Sequence, residues 1–327
     1  MKLQILIPQY KETEEIIKPL LDSIEVQQSI DLKNDVGVII VNDGTDVHLS
    51  EEFLNKYSFD IKYYFGEHRG VSATRNECLD HATADYVMFC DADDMFYNAC
   101  GLYIVFREIE GGGFDSLVSA FIEESRDPAT KEPIYINHDM DSTFVHGKVH
   151  NRKFLLKNNI RWNDSLTIHE DSYFNGLCQR LANELKYSQT SFYLWKWRDA
   201  SVCRHDPKYI LKTYNNMLDS NDALVTQFVT RNRIQDAQFY AVNMIYDAYF
   251  TMNKDEWLNQ ENHEYRIATE RRFKDYWMKY KYLHDSIAPD VRTQIIMGIK
   301  NRMYGEGMIL ESLTFSEWIK QVENMEG

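Results

Sequence analysis

Over the first hundred residues, short unbroken apolar runs alternate with segments of helical periodicity. Residues 3–8, 36–41, 61–65 and 86–90 each read as a buried strand, the second of them closed by Asn42-Asp43-Gly44. Residues 12–28 place Ile16, Ile17, Leu20, Leu21 and Ile24 on one face of a helix, and 72–82 form the next helix. Strands that are apolar on both sides and separated by helices predict a parallel sheet covered on both faces.

The pattern becomes mixed from Asp115 onward. Strands are expected at 116–122, 134–136, 143–150 and 192–197, with helices at 152–158 and 171–185. Beyond that, no strand pattern appears. Asp206-Pro207 is a helix cap followed by proline at a first helical position, and the rest reads as amphipathic helices. The chain therefore divides into 1–205, with halves at about 1–100 and 101–205, and an all-helical region 206–327. The fold class is α/β, a mixed sheet flanked by helices with that helical appendage.

Composition narrows the classes. The 327 residues are 44% hydrophobic and 27% charged, an ordinary globular balance with room for a large domain and a smaller one. The net charge of −15 gives no general attraction to phosphate backbones or anionic lipid, which lowers the expectation of a nucleic-acid partner. The five cysteines include no Cys-x-x-Cys pair, so they suit a reducing compartment and carry no zinc signature. The apolar start is too short for a secretory signal, and no run of about 18 apolar residues exists. A cytoplasmic location is the expectation.

The strongest chemical signal is Phe89-Cys90-Asp91-Ala92-Asp93-Asp94, a buried strand running into carboxylates. On an extended chain Asp91 and Asp93 point the same way. Ligands of open parallel sheets bind at the carboxyl ends of strands, and hard divalent cations take carboxylate oxygens. The same residues also fit an acidic turn that merely ends a strand.

Residues 1–94 as a whole resemble the nucleotide-binding half of glycosyltransferase family 2, which has the Rossmann-like GT-A fold. Four pieces carry the resemblance in order and spacing: Ile5 to Tyr10, Ile39 to Thr45, Gly70 to Asn76, and Tyr86 to Asp94. It continues more thinly to about residue 205 and does not reach the C-terminal helices.

The resemblance implies roles for particular residues. Pro8 and Tyr10 begin a uridine pocket, with Tyr10 near the base. Asp43 accepts a hydrogen bond from uracil. Arg75 lies near the diphosphate or base, and Asn76 braces its loop. Asp91 contacts ribose or metal, and Asp93 binds the metal, Mn²⁺ or Mg²⁺. Lys11 departs from the family's usual Asn. Family members also carry a Glu-Asp pair at the distance of Glu170-Asp171, where the Asp is the general base; here Glu170 would bind the acceptor. A helix N-terminus stabilises an ionised carboxylate, and such a carboxylate can accept the acceptor's hydroxyl proton. Two acids stabilising a helix start would look the same.

The segment Trp195 to His205 resembles the family's end-of-domain stretch. There His205 is a candidate further metal ligand, and Arg198 or Arg204 could face the diphosphate. His146-Gly147-Lys148 falls where related enzymes border the acceptor site.

Together these features imply an inverting, divalent-metal-dependent transfer of sugar from a UDP-sugar to an acceptor hydroxyl of a glycan or of a wall or capsule polymer. Self-association through the C-terminal helices is a further expectation. Transfer to a modified DNA base is an alternative, with Arg266, Arg271, Arg272 and Lys274 as a local contact surface. A non-catalytic nucleotide-sugar-binding protein is the rival from another class, and it would be expected to lose Asp93 or Asp171, both of which are present.

Overall fold

The computed structural model describes residues 1–199, 208–305 and 313–325. The chain forms two compact units, Met1–Ser201 and Val202–Gly327.

In the first unit the strands are β1 (Leu3–Gln9), β2 (Val36–Asn42), β3 (Asp60–Phe65), β4 (Tyr86–Phe89), β5 (Met95–Phe96), β6 (Ser116–Arg126), β7 (Pro133–His138), β8 (Lys148–Asn151) and β9 (Leu185–Trp195). The helices are α1 (Glu14–Glu25), α2 (Leu32–Asp35), α3 (Glu51–Leu54), α4 (Val71–His81), α5 (Gly101–Glu110), α6 (Arg152–Lys157) and α7 (Glu170–Leu181). One nine-stranded sheet runs in the order β3-β2-β1-β4-β8-β6-β9-β5, with β7 paired to β6. The first four strands are parallel; β8 then pairs antiparallel with both β4 and β6. The expected mixed α/β sheet flanked by helices is therefore present.

The sheet is held by burial on both faces. Leu3, Ile5, Leu6 and Ile7 of β1 and Val36, Ile39, Ile40 and Val41 of β2 are fully enclosed. Each such side chain contributes about 1.5–3 kcal/mol relative to exposure. Leu20, Leu21 and Ile24 of α1 close one face. From β1 the chain crosses to β2 on one side, while β4 lies on the other. Open sheets bind ligands at such a switch point, outside the carboxyl ends of the strands.

Three expected elements differ. The strand expected at 143–150 begins only at Lys148. Gly147 has φ +68° in a turn, and a Cβ there would lie 3.2 Å from the Ser119 carbonyl oxygen. The helix expected to reach residue 185 stops at Leu181, because β9 starts at Leu185 and pairs with Ser116. That last strand runs back from Trp195 to Leu185, so it is much longer than the apolar stretch 192–197.

The second unit comprises α8 (Tyr209–Lys212), α9 (Tyr214–Thr230), α10 (Ile234–Met252), α11 (Asp255–Leu258), α12 (His263–Ser286), α13 (Pro289–Gly305) and α14 (Phe315–Glu323). Its described residues contain no strand, as the periodicity predicts. Aromatic side chains fill its core, with Tyr214, Phe228, Trp257, Phe273, Tyr276 and Tyr280 buried. A capping box between Thr314 and Glu317 opens α14. The basic stretch of α12 is largely turned to internal partners. Arg272 pairs with Asp219 and Asp222, Arg266 with Glu270, and Lys274 donates to the Met325 carbonyl. No described helix is long and apolar enough to cross a membrane.

Candidate active site

A cleft of about 330 Å³ opens at the switch point. Pro8, Gln9 and Tyr10 reach it from the end of β1, Asp43 from the end of β2, and Asp91 to Asp93 from the end of β4. Gly70, Val71, Thr74 and Arg75 of the α4 turn complete the wall. Of the residues singled out from sequence, Pro8, Tyr10, Asp43, Arg75, Asp91 and Asp93 are brought together here. Arg204 and His205 lie outside the described residues, as does the cap at Asp206-Pro207.

Asp43 is nearly buried. Its carboxylate accepts from the Arg69 amide (2.8 Å) and the Gly70 amide (3.1 Å), and it meets His68 Nδ1 at 2.9 Å. It thus ties the turn that leads into α4 to the end of β2. Gly44, at φ +66°, makes the contact possible, since a Cβ would fall 2.3 Å from the His68 amide nitrogen. Tyr10 stacks on His68 with centroids 4.8 Å apart. The sequence reading did not single out His68; no short-range pattern marks it.

Arg75 is the hub. Its side chain is 4% exposed, yet its guanidinium reaches Asp91 (2.8 Å), Glu170 (2.9 Å) and Asp171 (3.0 Å). It also lies over the Trp162 ring at 4.4 Å. Burial alone would disfavour its charge; the three carboxylates outweigh that and hold it protonated. Asn76 braces the segment that leads to α7, not its own loop: it donates to the Trp162 carbonyl and Asp164 and accepts from the Trp162 amide.

The turn after β4 departs from the extended geometry expected of it. Ala92 and Asp93 form a turn in which the Asp94 amide donates to the Asp91 carbonyl at 3.2 Å. Side-chain alternation therefore does not relate Asp91 to Asp93. Asp93 stays on the cleft wall, paired with Arg198 at 2.7 Å. Asp94 turns inward, where Tyr193 and the Lys196 amide donate to it. Burial, reinforced by Asp93 and Asp91, holds the Asp94 carboxyl well above the usual carboxylate range. Burial also raises Asp91, but Arg75 outweighs it and keeps that carboxyl low.

Ligand atoms of Asp91, Asp94 and His146 all lie within 4.8 Å of one another. Two carboxylates and an imidazole suit a divalent cation such as Mn²⁺, which would also offset the crowded negative charge. Asp94 and His146 are constituents of this cluster that the sequence reading did not assign. Their meeting depends on β8 lying antiparallel beside β4.

Glu170 and Asp171 open α7, as expected, and His169 before them sits at φ +61°. A left-handed non-glycine residue costs about 1–2 kcal/mol, a strain concentrated next to the acidic pair. The Asp171 carboxyl is fully engaged: Oδ1 accepts from Arg75 and Oδ2 from the Val145 amide, each at 3.0 Å. Burial pushes its pKa up to about 7, with Arg75 opposing and Glu170 and Asp91 adding to the rise. Close by, Lys148 is almost wholly enclosed, and burial lowers it to about 8 against the pull of Asp141 and Asp171. A carboxylate that titrates near neutrality beside a nucleotide-sized cleft can take a proton from an incoming hydroxyl.

The model of the glycosyl transferase family 2 matches residues 4–183. Glycosyltransferase GlyA of Streptococcus pneumoniae is 28% identical over 228 residues, covering 62% of this chain and 32% of that protein. The uncharacterized glycosyltransferase EpsJ of Bacillus subtilis is 24% identical over 214 residues, 59% of this chain and 60% of its own length. The minor teichoic acid biosynthesis protein GgaB of Bacillus subtilis is 29% identical over 176 residues, 47% of this chain and 19% of that protein. The chain thus spans about a third of GlyA and three-fifths of EpsJ. Among solved structures, S. aureus TarS 1-349 in complex with UDP-GlcNAc is similar at 18% identity and a TM-score of 0.63, covering 95% of this chain and 93% of that one. Its complex with UDP gives the same TM-score at 16% identity, covering 96% and 94%. At these identities the likeness is one of fold.

Proposed function

This chain belongs to glycosyl transferase family 2, and from that premise we propose that it transfers a sugar, with inversion, from a UDP-sugar to an acceptor hydroxyl of a glycan or wall polymer. One observation carries the reading. A buried Arg75 joins Asp91 on the cleft wall to Glu170 and Asp171 at the start of α7. The donor side and the proton-accepting side are thereby a single assembly.

In this reading the uridine lies along Pro8 and Tyr10 with its ring against Asp43, and Arg75 faces the diphosphate or base. Asp171 accepts the proton of the attacking hydroxyl, and Glu170 binds the acceptor. Asp91 and Asp93 line the cleft and would hold Mn²⁺ or Mg²⁺, with the Asp94–His146 pair behind Asp91. When bound, the ion offsets charge on the departing diphosphate. Arg204 and His205 remain candidates for the diphosphate and the metal. The helical unit would shape acceptor access or self-association. A wall polymer is favoured as acceptor because GgaB is named for teichoic acid biosynthesis. The DNA-base alternative is the weaker reading, because Arg266, Arg272 and Lys274 are drawn to internal partners and only Arg271 of that stretch is exposed.

The test is a panel of nucleotide sugars with Mn²⁺, read by calorimetry and by product NMR. UDP should bind more tightly than GDP or ADP, and an α-linked donor should give a β-linked product. A purine preference, or retention of configuration, would overturn the reading.

A further inference from the structure

Lys148 is the most fully buried ammonium among the described residues, with 1% of its surface exposed. Taking an ammonium out of water costs several kcal/mol, and an apolar side chain of the same length would fill the space without that cost. Its one hydrogen bond goes to the His146 carbonyl oxygen at 3.3 Å. Beyond that bond its surroundings offer the Phe121 ring at 5.9 Å and through-space interactions with Asp141, Asp171 and Cys178. A charge kept under these conditions calls for a reason in what it holds.

What it holds is the turn from Val145 to Gly147, and that turn serves the site at two points. The Val145 amide donates to Asp171 Oδ2 at 3.0 Å, and the His146 ring faces Asp94 with Nδ1 3.7 Å from Oδ2. Either side of the turn is secured by other elements. Asn175 of α7 donates to the Thr143 and Phe144 carbonyls, and the Ser119 amide of β6 donates to the Gly147 carbonyl. Between those anchors the His146 carbonyl takes the Lys148 ammonium. Lys148 itself is fixed in register opposite Val118 on β6, so its backbone cannot follow a drifting turn.

We propose that Lys148 is a positioning residue: its buried ammonium pins the 145–147 turn so that one short segment sets both the Asp171 carboxylate and the His146 imidazole. The proposal rests on Asp171 being the base, but only for its kinetic consequence. Supports of this kind around a reacting group commonly change turnover by 10- to 100-fold when removed.

The experiment compares the full chain with its Lys148→Met and Lys148→Arg variants by hydrogen–deuterium exchange and by Mn²⁺-dependent release of UDP from UDP-GlcNAc. In Lys148→Met, the peptide covering 143–147 should exchange at least tenfold faster, while β1 and α4 stay unchanged. Its kcat should fall ten- to a hundredfold with donor KM within twofold. Lys148→Arg, which keeps a cationic donor, should restore most of both. Should Lys148→Met fail to fold, the same readouts on Lys148→Gln decide. Exchange within twofold of the parent, or a KM that rises while kcat holds, would overturn the proposal. The exchange result stands without any substrate. If Asp171→Asn keeps its turnover while Lys148→Met still loosens the turn, the assignment of the base has failed and the pin has not.

Discussion

Replacing Asp171 with Asn separates the chemistry of this site from its stability. The carboxyl gives up its proton near pH 7 in the folded chain and near 3.8 otherwise. At about 1.4 kcal/mol per pH unit, holding it ionised in the fold costs on the order of 4 kcal/mol. A carboxyl raised in this way adds stability below about pH 4, and that contribution is lost as pH climbs to about 7. An amide carries no such term. It has its own cost, because both Asp171 oxygens accept hydrogen bonds and Asn has one acceptor. Its NH₂ must face either Arg75 or the Val145 amide, at about 1–3 kcal/mol regardless of pH. Asp171→Asn should therefore be less stable than the parent at pH 4.5 and equal or more stable at pH 8. In a unit of about two hundred residues, the relative swing of about 3.5 kcal/mol between pH 4.5 and pH 8 moves Tm by roughly 7–14 °C. Turnover should fall by about 10²–10⁴ at pH 8 and by less below about pH 7, where the parental base is itself protonated and parental turnover declines. Thermal unfolding from pH 4.5 to 8, alongside UDP release across the same range, tests both halves. Parallel Tm curves would refute the buried, perturbed carboxyl. Turnover within threefold of the parent would move the base elsewhere, with Glu170 the first residue to examine.

Two further outcomes are expected. Asp93→Ala should abolish metal-dependent turnover with little change in Tm, since Asp93 lines the cleft and pairs with the half-exposed Arg198; unchanged activity in Mn²⁺-replete buffer would remove it from the metal site. His169→Gly should relieve the left-handed backbone and raise stability by about 1 kcal/mol, and a Tm below the parent's would show that the imidazole contributes more than the strain costs.

How much of this could be read in advance depended on range. The β1, β2 and β4 runs are apolar on both faces and ended where expected, so the residues at their ends were found together. Asp43 and Asp91 were legible because each follows a buried strand, whereas Arg75 stood out only through the resemblance to the family. The turn at Ala92 and Asp93 was not, because alternation holds only within the strand, which ends at Phe89. Helix α5 is not marked by its sequence, because a short run such as Tyr-Ile-Val-Phe fits a strand or a buried helix equally. Asp94 with His146, Asp43 with His68, and the enclosure of Lys148 arise only when strands far apart in sequence become neighbours.

Arg75 has a consequence for how the chain acquires its shape. Its partners stand 16, 95 and 96 residues away along the chain. Contacts of such separation form late, because the intervening loop must close before they reward the closure. During synthesis β1 to β4 emerge before α7, so a partly made chain can offer Arg75 its Asp91 partner but not yet Glu170 or Asp171. Burying the guanidinium at that stage would leave it short of two partners, which favours keeping that corner open to water until α7 arrives. Completion of the sheet and assembly of the cleft would then be one event, and a chain stalled before α7 should be a target for proteases and chaperones at the α4 turn.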